Sequence, residues 1–289
     1  MLESHLFPVF QTQAIDPAKL LPLWRDEDVE YDFVRRDWFP ENLVFELKSH
    51  PPLDQLPSFL KGFFYVQDPS TLLAVHLLDP QPGESILDWC AAPGGKLTYM
   101  AQLMNGQGRL VAHDVNPARL KLITANCARL GVVNVQLGLP PAGGPALLAE
   151  ALTGKGGFQS TPAKSKPSGG APADDSTTGG QLFDRILVDA PCSNTGVMRR
   201  RVELRWRVTM EEIKRLSKMQ VALLDQAGLL LKPGGSLVYS TCSLEPEENR
   251  QVVEFFLGRH PEFKLQDERE LLPHTDATDG AYVARLRRA

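Results

Sequence analysis

Two cysteines stand where apolar strands are expected to end. Cys242 closes the stretch LVYSTC (237–242), and Cys192 follows the stretch ILVDAP (186–191). A thiol acts as a nucleophile only as the thiolate, in a partly exposed setting. A free cysteine is otherwise commonly a small buried hydrophobe, and this alternative applies to each of the two taken alone. Two such cysteines at one edge of a sheet, beside a ligand pocket, favour nucleophilic chemistry.

A turn of small residues offers a place for that ligand. The stretch DWCAAPGGK (88–96) joins a predicted strand to a predicted helix, and Gly94 and Gly95 let a ligand approach the backbone closely. The turn is neither a GxGxxG fingerprint nor a Walker A loop, since Cys90 stands where Walker A needs glycine. Asp114 ends the next strand, where a carboxylate can accept both ribose hydroxyls of a nucleoside. The alternative is a tight turn and a solvated aspartate.

The remaining cysteines and the overall charge narrow the function further. Cys127 lies mid-helix and is predicted to be core, whereas Cys90 is expected to line the ligand site through its backbone. The 4 cysteines contain no CxxC pair and fit no zinc spacing, so no metal site is predicted. The net charge of −4 is not that of a bulk nucleic-acid binder. A basic run at 198–218 is either a nucleic-acid contact or a solvated, salt-bridged helix face.

Strand and helix alternate along the chain and must position these residues. Strands are predicted within 81–90, 109–115, 132–137, 183–190 and 236–242, and at 280–289 as an edge strand; helices are predicted at 68–78, 95–104, 117–131, 210–231 and 246–259. Short strands that are apolar on both faces predict a mostly parallel α/β sheet with helices on both faces. Ligands bind beyond the carboxyl ends of such strands. Asp88, Asp114, Asp189 and Cys242 all lie at such ends.

The composition also divides the chain. Residues 1–60 are rich in Pro, Trp and acidic residues and are predicted to form a small N-terminal appendage to a domain at 61–289. Residues 138–181 are dominated by small and polar residues and are predicted to be a flexible, low-complexity surface loop. No apolar run reaches the roughly 18 residues that span a bilayer, and the N-terminus lacks a signal-peptide pattern. We therefore expect a soluble, cytoplasmic monomer.

Six stretches carry a resemblance to a known family. They are GFFYVQDPST (62–71), DWCAAPGGK (88–96), DVNPARL (114–120), DRILVDAPCSNTGVMRR (184–200), PGGSLVYSTCSLEPEEN (233–249) and DGAYVARL (279–286). In this order they resemble the Sun/Fmu-type RNA (cytosine-5) methyltransferases, and the bacterial small-subunit rRNA enzymes most. The resemblance implies a Rossmann-like methyltransferase domain with a seven-stranded sheet. It implies S-adenosyl-L-methionine as cofactor and RNA, either rRNA or tRNA, as partner.

The resemblance also implies roles for single residues. Cys242 is the attacking thiolate at carbon 6 of cytosine, and Cys192 resolves the covalent adduct. Asp189 bonds or protonates ring nitrogen 3, with Lys96 close to the chemistry. The implied cofactor-binding residues are Cys90, Ala91, Ala92, Pro93, Gly94, Gly95, Lys96, Asp114, Arg119 and Asp189, with Asp114 at the ribose. The basic run that follows Cys192 supplies the predicted RNA-binding residues, which suit phosphates and an unstacked base: Arg199, Arg200, Arg201, Arg205 and Trp206.

Three departures from the family pattern and three alternatives accompany this interpretation. The stretch QLGLPPAGG (136–144) lacks the acidic residue that usually faces the adenine, and Asn194 replaces a usual glycine. About 60 residues cannot hold the helical RNA-binding domain that usually precedes the catalytic one, so either the choice of target site differs or a partner replaces that domain. In DNA cytosine methyltransferases the Pro-Cys cysteine attacks, which would promote Cys192. A non-catalytic RNA-binding protein of this fold is a second alternative. A dehydrogenase, the third, is disfavoured by the missing GxGxxG.

Overall fold

Two β-sheets, one small and antiparallel and one large and mostly parallel, organise the described chain. The computed structural model describes residues 10–14, 16–138 and 182–289. The flexible loop predicted for 138–181 lies outside the described residues from position 139 onward.

The small sheet precedes the predicted ligand site. Its elements are β1 (Phe10–Ala14), α1 (Pro17–Asp26), β2 (Glu30–Val34), β3 (Val44–Ser49), α2 (Pro57–Leu60) and β4 (Phe64–Val66). The strands pair antiparallel in the order β2-β3-β1-β4. Trp24 of α1 is fully buried and meets the rings of Phe45 and Phe64 edge-on. Because β4 (Phe64–Val66) belongs to this sheet, the domain boundary expected at residue 60 falls within the small sheet.

The large sheet holds the predicted site. Its elements are α3 (Ser70–Leu78), β5 (Ser85–Trp89), α4 (Gly95–Leu103), β6 (Arg109–His113), α5 (Pro117–Leu130), β7 (Val135–Leu137), β8 (Phe183–Asp189), α6 (Met210–Leu230), β9 (Leu231–Thr241), α7 (Arg250–Arg259), β10 (Phe263–Leu271), α8 (Pro273–Asp276) and β11 (Ala281–Arg288). The strand order is β10-β11-β9-β8-β5-β6-β7. Strands β5 to β9 run parallel, and β11 runs antiparallel to both of its neighbours.

Helices cover both faces of this sheet, because successive residues of a strand point to opposite sides. On β5, Ile86 packs into the apolar cluster that contains residues of α3, α4 and α5, whereas Leu87 packs into the cluster that contains residues of α6 and α7. Gly131 ends α5 at φ +69°, as the sequence predicted. The predicted Rossmann-like α/β class with seven strands is confirmed.

The position predicted for the C-terminal strand is wrong. Residues 281–288 do form a strand, but β11 pairs with β9 on one side and β10 on the other, so it is not at the edge. The edge strand on this side of the sheet is β10, FKLQDEREL, which the sequence analysis did not predict. Most of its residues are exposed or half-buried, so it lacks the apolar run that revealed the inner strands.

Arg129 joins the two layers. It lies near the end of α5, and its guanidinium donates to the backbone oxygens of Phe59 at 2.8 Å and Phe64 at 3.0 Å. The same group lies 4.1 Å from the centre of the Phe59 ring. Across the described ranges, no helix is both long enough and apolar enough to cross a membrane.

Candidate active site

The predicted site residues meet at the carboxyl edge of the parallel strands. Asp88 lies near the end of β5 and Asp114 directly follows β6; Asp189 ends β8 and Cys242 directly follows β9. A cavity of about 480 Å³ opens at this edge, lined by both Cys192 and Cys242. This volume is in the range of small-molecule sites.

The two cysteines lie side by side in this cavity. Their Sγ atoms are 3.4 Å apart. Cys192 is buried, while Cys242 is partly exposed. Asn194, at φ +61°, accepts a hydrogen bond from the Cys242 thiol at 3.0 Å and donates to the Cys192 carbonyl at 2.8 Å. The left-handed backbone that asparagine tolerates thus places its amide over the more exposed sulfur.

The surroundings of Cys192 disfavour its ionisation. The hydrogen bond with Cys242 and burial raise the pKa of Cys192 well above its usual value, and the charges of Cys242 and Glu248 add to the rise. Cys192 is therefore a neutral thiol at neutral pH, which can donate a proton but is poorly suited to attack.

A lysine–aspartate pair faces the sulfur atoms. Lys96 Nζ donates to Oδ2 of Asp189 at 2.7 Å, and Ser240 Oγ donates to its Oδ1 at 2.7 Å. Burial alone would lower the pKa of Lys96, but the charge of Asp189 and its hydrogen bond outweigh burial, and ionised Cys242 adds to the net rise. Lys96 is therefore a stable cation beside both Asp189 and Cys242.

The turn at 90–96 is held against Asp114. The Ala92 N–H donates to the Asp114 carboxylate at 3.3 Å, and Arg119 pairs with the same carboxylate at 3.3 Å and bonds the Ala92 carbonyl. Cys90 is buried at φ +69°, and burial raises the pKa of its thiol. A Cβ at Gly95 would lie 2.5 Å from Gln67 Oε1 and 3.0 Å from Tyr65 Cε1, so a larger residue would require these side chains to shift. The turn therefore presents backbone to the cavity.

Two arginines of the basic run form ion pairs within the chain. Arg199 and Arg200 donate to the buried carboxylates of Asp68 and Asp279 over 2.5–3.1 Å. This gives both guanidinium groups an internal role that the sequence analysis did not foresee. Their contact with RNA stays a prediction.

The other predicted RNA contacts are more open. Trp206 is 87% exposed, and Arg201 lines the cavity of the two cysteines. Arg205 is also exposed. RNA binding by these three residues likewise stays a prediction.

Several site residues were missed by the sequence analysis. Glu248 is fully buried and accepts hydrogen bonds from Ser193 and Ser243, the residues that follow the two cysteines. Asp88, by contrast, was among the residues predicted at the strand ends; it is fully buried, and burial raises the pKa of its carboxyl well above the usual range. The only sequence signal for Glu248 is its place in the STCSLEPEEN stretch, because its burial depends on contacts that are distant along the chain.

Comparisons with known proteins agree with this geometry. The family model described as 16S rRNA methyltransferase RsmB/F matches residues 75–139 and 169–287. Ribosomal RNA small subunit methyltransferase B from Pectobacterium carotovorum is 39% identical over 250 residues, covering 84% of this chain and 51% of that protein. The protein of the same name from Vibrio cholerae is 38% identical over 246 residues, covering 83% of this chain and 50% of that protein. The chain thus spans about half the length of these curated relatives.

Solved structures agree as well. A methyltransferase homolog protein from Pyrococcus horikoshii superposes with a TM-score of 0.74 at 30% identity, covering 99% of this chain and 89% of that chain. NSun6 from Pyrococcus horikoshii, solved with SFG, gives a TM-score of 0.76 at 21% identity, covering 98% and 92%, and supports the fold alone. With the family model matched across both halves of the large sheet, the chain belongs to the RsmB/F methyltransferase family.

Proposed function

We propose that this chain transfers a methyl group from S-adenosyl-L-methionine to carbon 5 of a cytosine in RNA, with small-subunit rRNA as the substrate. The observation that carries the proposal is the pair of sulfur atoms 3.4 Å apart in a cavity that also holds the Lys96–Asp189 pair. The names of the relatives support rRNA over tRNA. We further propose that residues 61–289 form the methyltransferase domain and 1–60 its appendage, with β4 of the domain completing the sheet of the appendage. We also propose that the protein acts as a cytoplasmic monomer.

The residues at 90–96 and Asp114 fit the cofactor. A second cavity of about 270 Å³ adjoins the first at Ala92, Lys96 and Asp189. Backbone of the 90–96 turn would hold the methionine part, and Asp114 and Arg119 would lie at the ribose side. When bound, S-adenosylmethionine supplies an activated methyl group at this edge of the sheet.

Each side chain has a separate role in the reaction of the cytosine. The Cys242 thiolate adds to carbon 6, which makes carbon 5 nucleophilic. The Lys96 cation lies beside the sulfur that carries the charge, and Asp189 bonds nitrogen 3 of the ring through a proton held between the two. Once carbon 5 is methylated, its proton passes to solvent water in the open cavity and the electron pair returns to the ring. The Cys242 thiolate is expelled while the Cys192 thiol donates a hydrogen bond to the departing sulfur. Cys192, a neutral thiol in contact with Cys242, resolves the adduct.

The target base must leave its stack to reach this cavity. Trp206 and the guanidinium groups of Arg201 and Arg205 offer an exposed ring and positive charges for a single-stranded segment. A splayed cytosine in a loop or an early assembly state of the rRNA suits this surface better than one in a duplex.

Methyl transfer from labelled S-adenosylmethionine tests the proposal. Small-subunit rRNA should gain label at carbon 5 of cytosine, and tRNA should gain none. Cys242→Ala should abolish transfer, whereas Cys192→Ala should accumulate a covalent RNA adduct visible as a shifted gel band. Cys127→Ala is the matched control, since this cysteine is buried in α5 and should leave transfer intact. Normal turnover by Cys242→Ala would refute the assignment, and an adduct in that variant would exchange the two roles.

A further inference from the structure

A buried carboxylate lies between the two cysteine turns. Glu248 stands between β9 and α7 and has 0% of its surface exposed. Burying a carboxylate is costly unless hydrogen-bond donors surround it. Glu248 Oε1 accepts from the Ser193 N–H at 2.9 Å and from Gln220 Nε2 at 3.1 Å. Its Oε2 accepts from the hydroxyls of Ser193 and Ser243, the latter at 2.6 Å. The carboxylate is thus held by donors from three separate parts of the chain.

Two serines connect the Glu248 carboxylate to the two cysteine turns. Ser193 directly follows Cys192, and Ser243 directly follows Cys242. Their hydroxyl oxygens are 3.2 Å apart, each donating to the same carboxylate oxygen. The turns that carry the cysteines begin at β8 and β9, and the carboxylate ties them together one residue beyond each sulfur.

The backbone of Glu248 is fixed as well. Its carbonyl accepts the Tyr239 hydroxyl at 2.6 Å, from within β9. The Ser243 hydroxyl also accepts the Glu245 N–H at 3.0 Å, which closes the turn in which Glu248 lies. The carboxylate therefore cannot shift without breaking bonds to strand and turn.

We infer that Glu248 is a positioning residue that sets the separation of the Cys192 and Cys242 sulfur atoms by anchoring the serine that follows each of them. Its removal would leave several buried donors without an acceptor, and the turns would relax apart to recover hydrogen bonds with water. The inference rests on the proposed function in one respect: the function explains why the separation matters, namely to let Cys192 act on an adduct held by Cys242.

Disulfide exchange measures the separation directly and needs no RNA. In a glutathione buffer the two thiols are oxidised to one intramolecular disulfide while one glutathione disulfide is reduced to two glutathione molecules. Mass spectrometry of the peptides that hold Cys192 and Cys242 gives the equilibrium fraction. The ratio yields the effective concentration of one thiol at the other, under conditions where circular dichroism shows each variant to be folded.

Glu248→Ala should lower that effective concentration by about tenfold or more, since small displacements of reacting groups cost factors of this size. The double variant Ser193→Ala/Ser243→Ala should lower it similarly and decides the question if Glu248→Ala does not fold. Glu247→Ala, one position earlier and half-buried, is the matched control and should stay within about twofold of wild type, as a surface change does. A wild-type effective concentration in the folded Ser193→Ala/Ser243→Ala variant would overturn the inference.

Turnover separates this inference from the proposed function. In methyl transfer, Glu248→Ala should lower kcat while KM for RNA changes little, because the carboxylate is buried beneath the turns rather than facing the RNA. A wild-type protein without RNA methylation would refute the proposed function, whereas the glutathione measurement would still decide the role of Glu248.

Discussion

Gly196→Ala should misplace the Cys242 turn. Gly196 lies in a short 3-10 turn (Thr195–Val197) after Cys192. Its N–H donates to the Cys242 carbonyl at 2.9 Å, and its own carbonyl accepts the Gly280 N–H at 2.9 Å. A Cβ at this position would lie 2.4 Å from the Gly280 oxygen and 2.8 Å from the Cys242 oxygen. Both are backbone atoms, so no side chain can swing aside to make room.

The magnitude follows from those distances. Relief of the clash requires the backbone to move by several tenths of an ångström at two places, and overpacking of this kind costs about 1–3 kcal/mol. Weakening two buried backbone hydrogen bonds adds about 1 kcal/mol each. The free energy of unfolding should therefore fall by about 3–5 kcal/mol. Because Cys242 shifts with the clash, methyl transfer should fall by about 100-fold.

Denaturant unfolding and labelled methyl transfer measure the two effects. Gly258→Ala is the matched control, because no atom lies within 4 Å of its added Cβ and the residue is inside α7. This control should stabilise the protein by about 0.5–1 kcal/mol through helix propensity. An unfolding free energy for Gly196→Ala within about 0.5 kcal/mol of wild type, with full activity, would refute this description of the turn.

Two further predictions concern stability. Arg129→Met should lower the free energy of unfolding by about 1.5–3 kcal/mol, since it removes charged hydrogen bonds to two backbone oxygens. An unchanged free energy of unfolding in denaturant titration would contradict the conclusion that Arg129 stabilises the contact between the two layers. Burial alone would raise the pKa of Asp184, but Lys232 and the Ser85 N–H lower it below its usual value. Asp184 then stabilises the fold above its unfolded pKa of about 3.9 and loses this effect as pH falls through its lower folded pKa. Asp184→Asn should flatten the acid side of the stability profile, by at most about 1 kcal/mol because both partners are partly exposed; a profile as steep as wild type would contradict it.

The central part of the fold could be predicted because its strands are apolar on both faces. Runs such as ILVD in β8 and LVYS in β9 need no knowledge of their partners to be recognised as buried strands. The edge strand β10 has no such run, and only its pairing with β11 makes it a strand. The same holds for the antiparallel sheet, whose strand β2 is mostly exposed or half-buried.

Part of the candidate site could likewise be predicted from the sequence, and part could not. Chain order places Cys192 and Cys242 after neighbouring strands, so their meeting could be predicted from topology. The acceptor role of Asn194 depends on a side-chain direction that the sequence does not encode locally. The basic run predicted either a nucleic-acid contact or a solvated, salt-bridged helix face. Arg199 and Arg200 instead bond buried carboxylates from distant parts of the chain.

The most direct test of the central claim identifies the cysteine joined to the base. RNA transcribed with 5-azacytidine has nitrogen in place of carbon 5, so it has no proton to lose there and the adduct cannot be resolved. After incubation with the wild-type protein and S-adenosylmethionine, mass spectrometry of the digested complex should find the nucleotide on the peptide that holds Cys242. A nucleotide on the Cys192 peptide, or no adduct on either cysteine, would contradict the account.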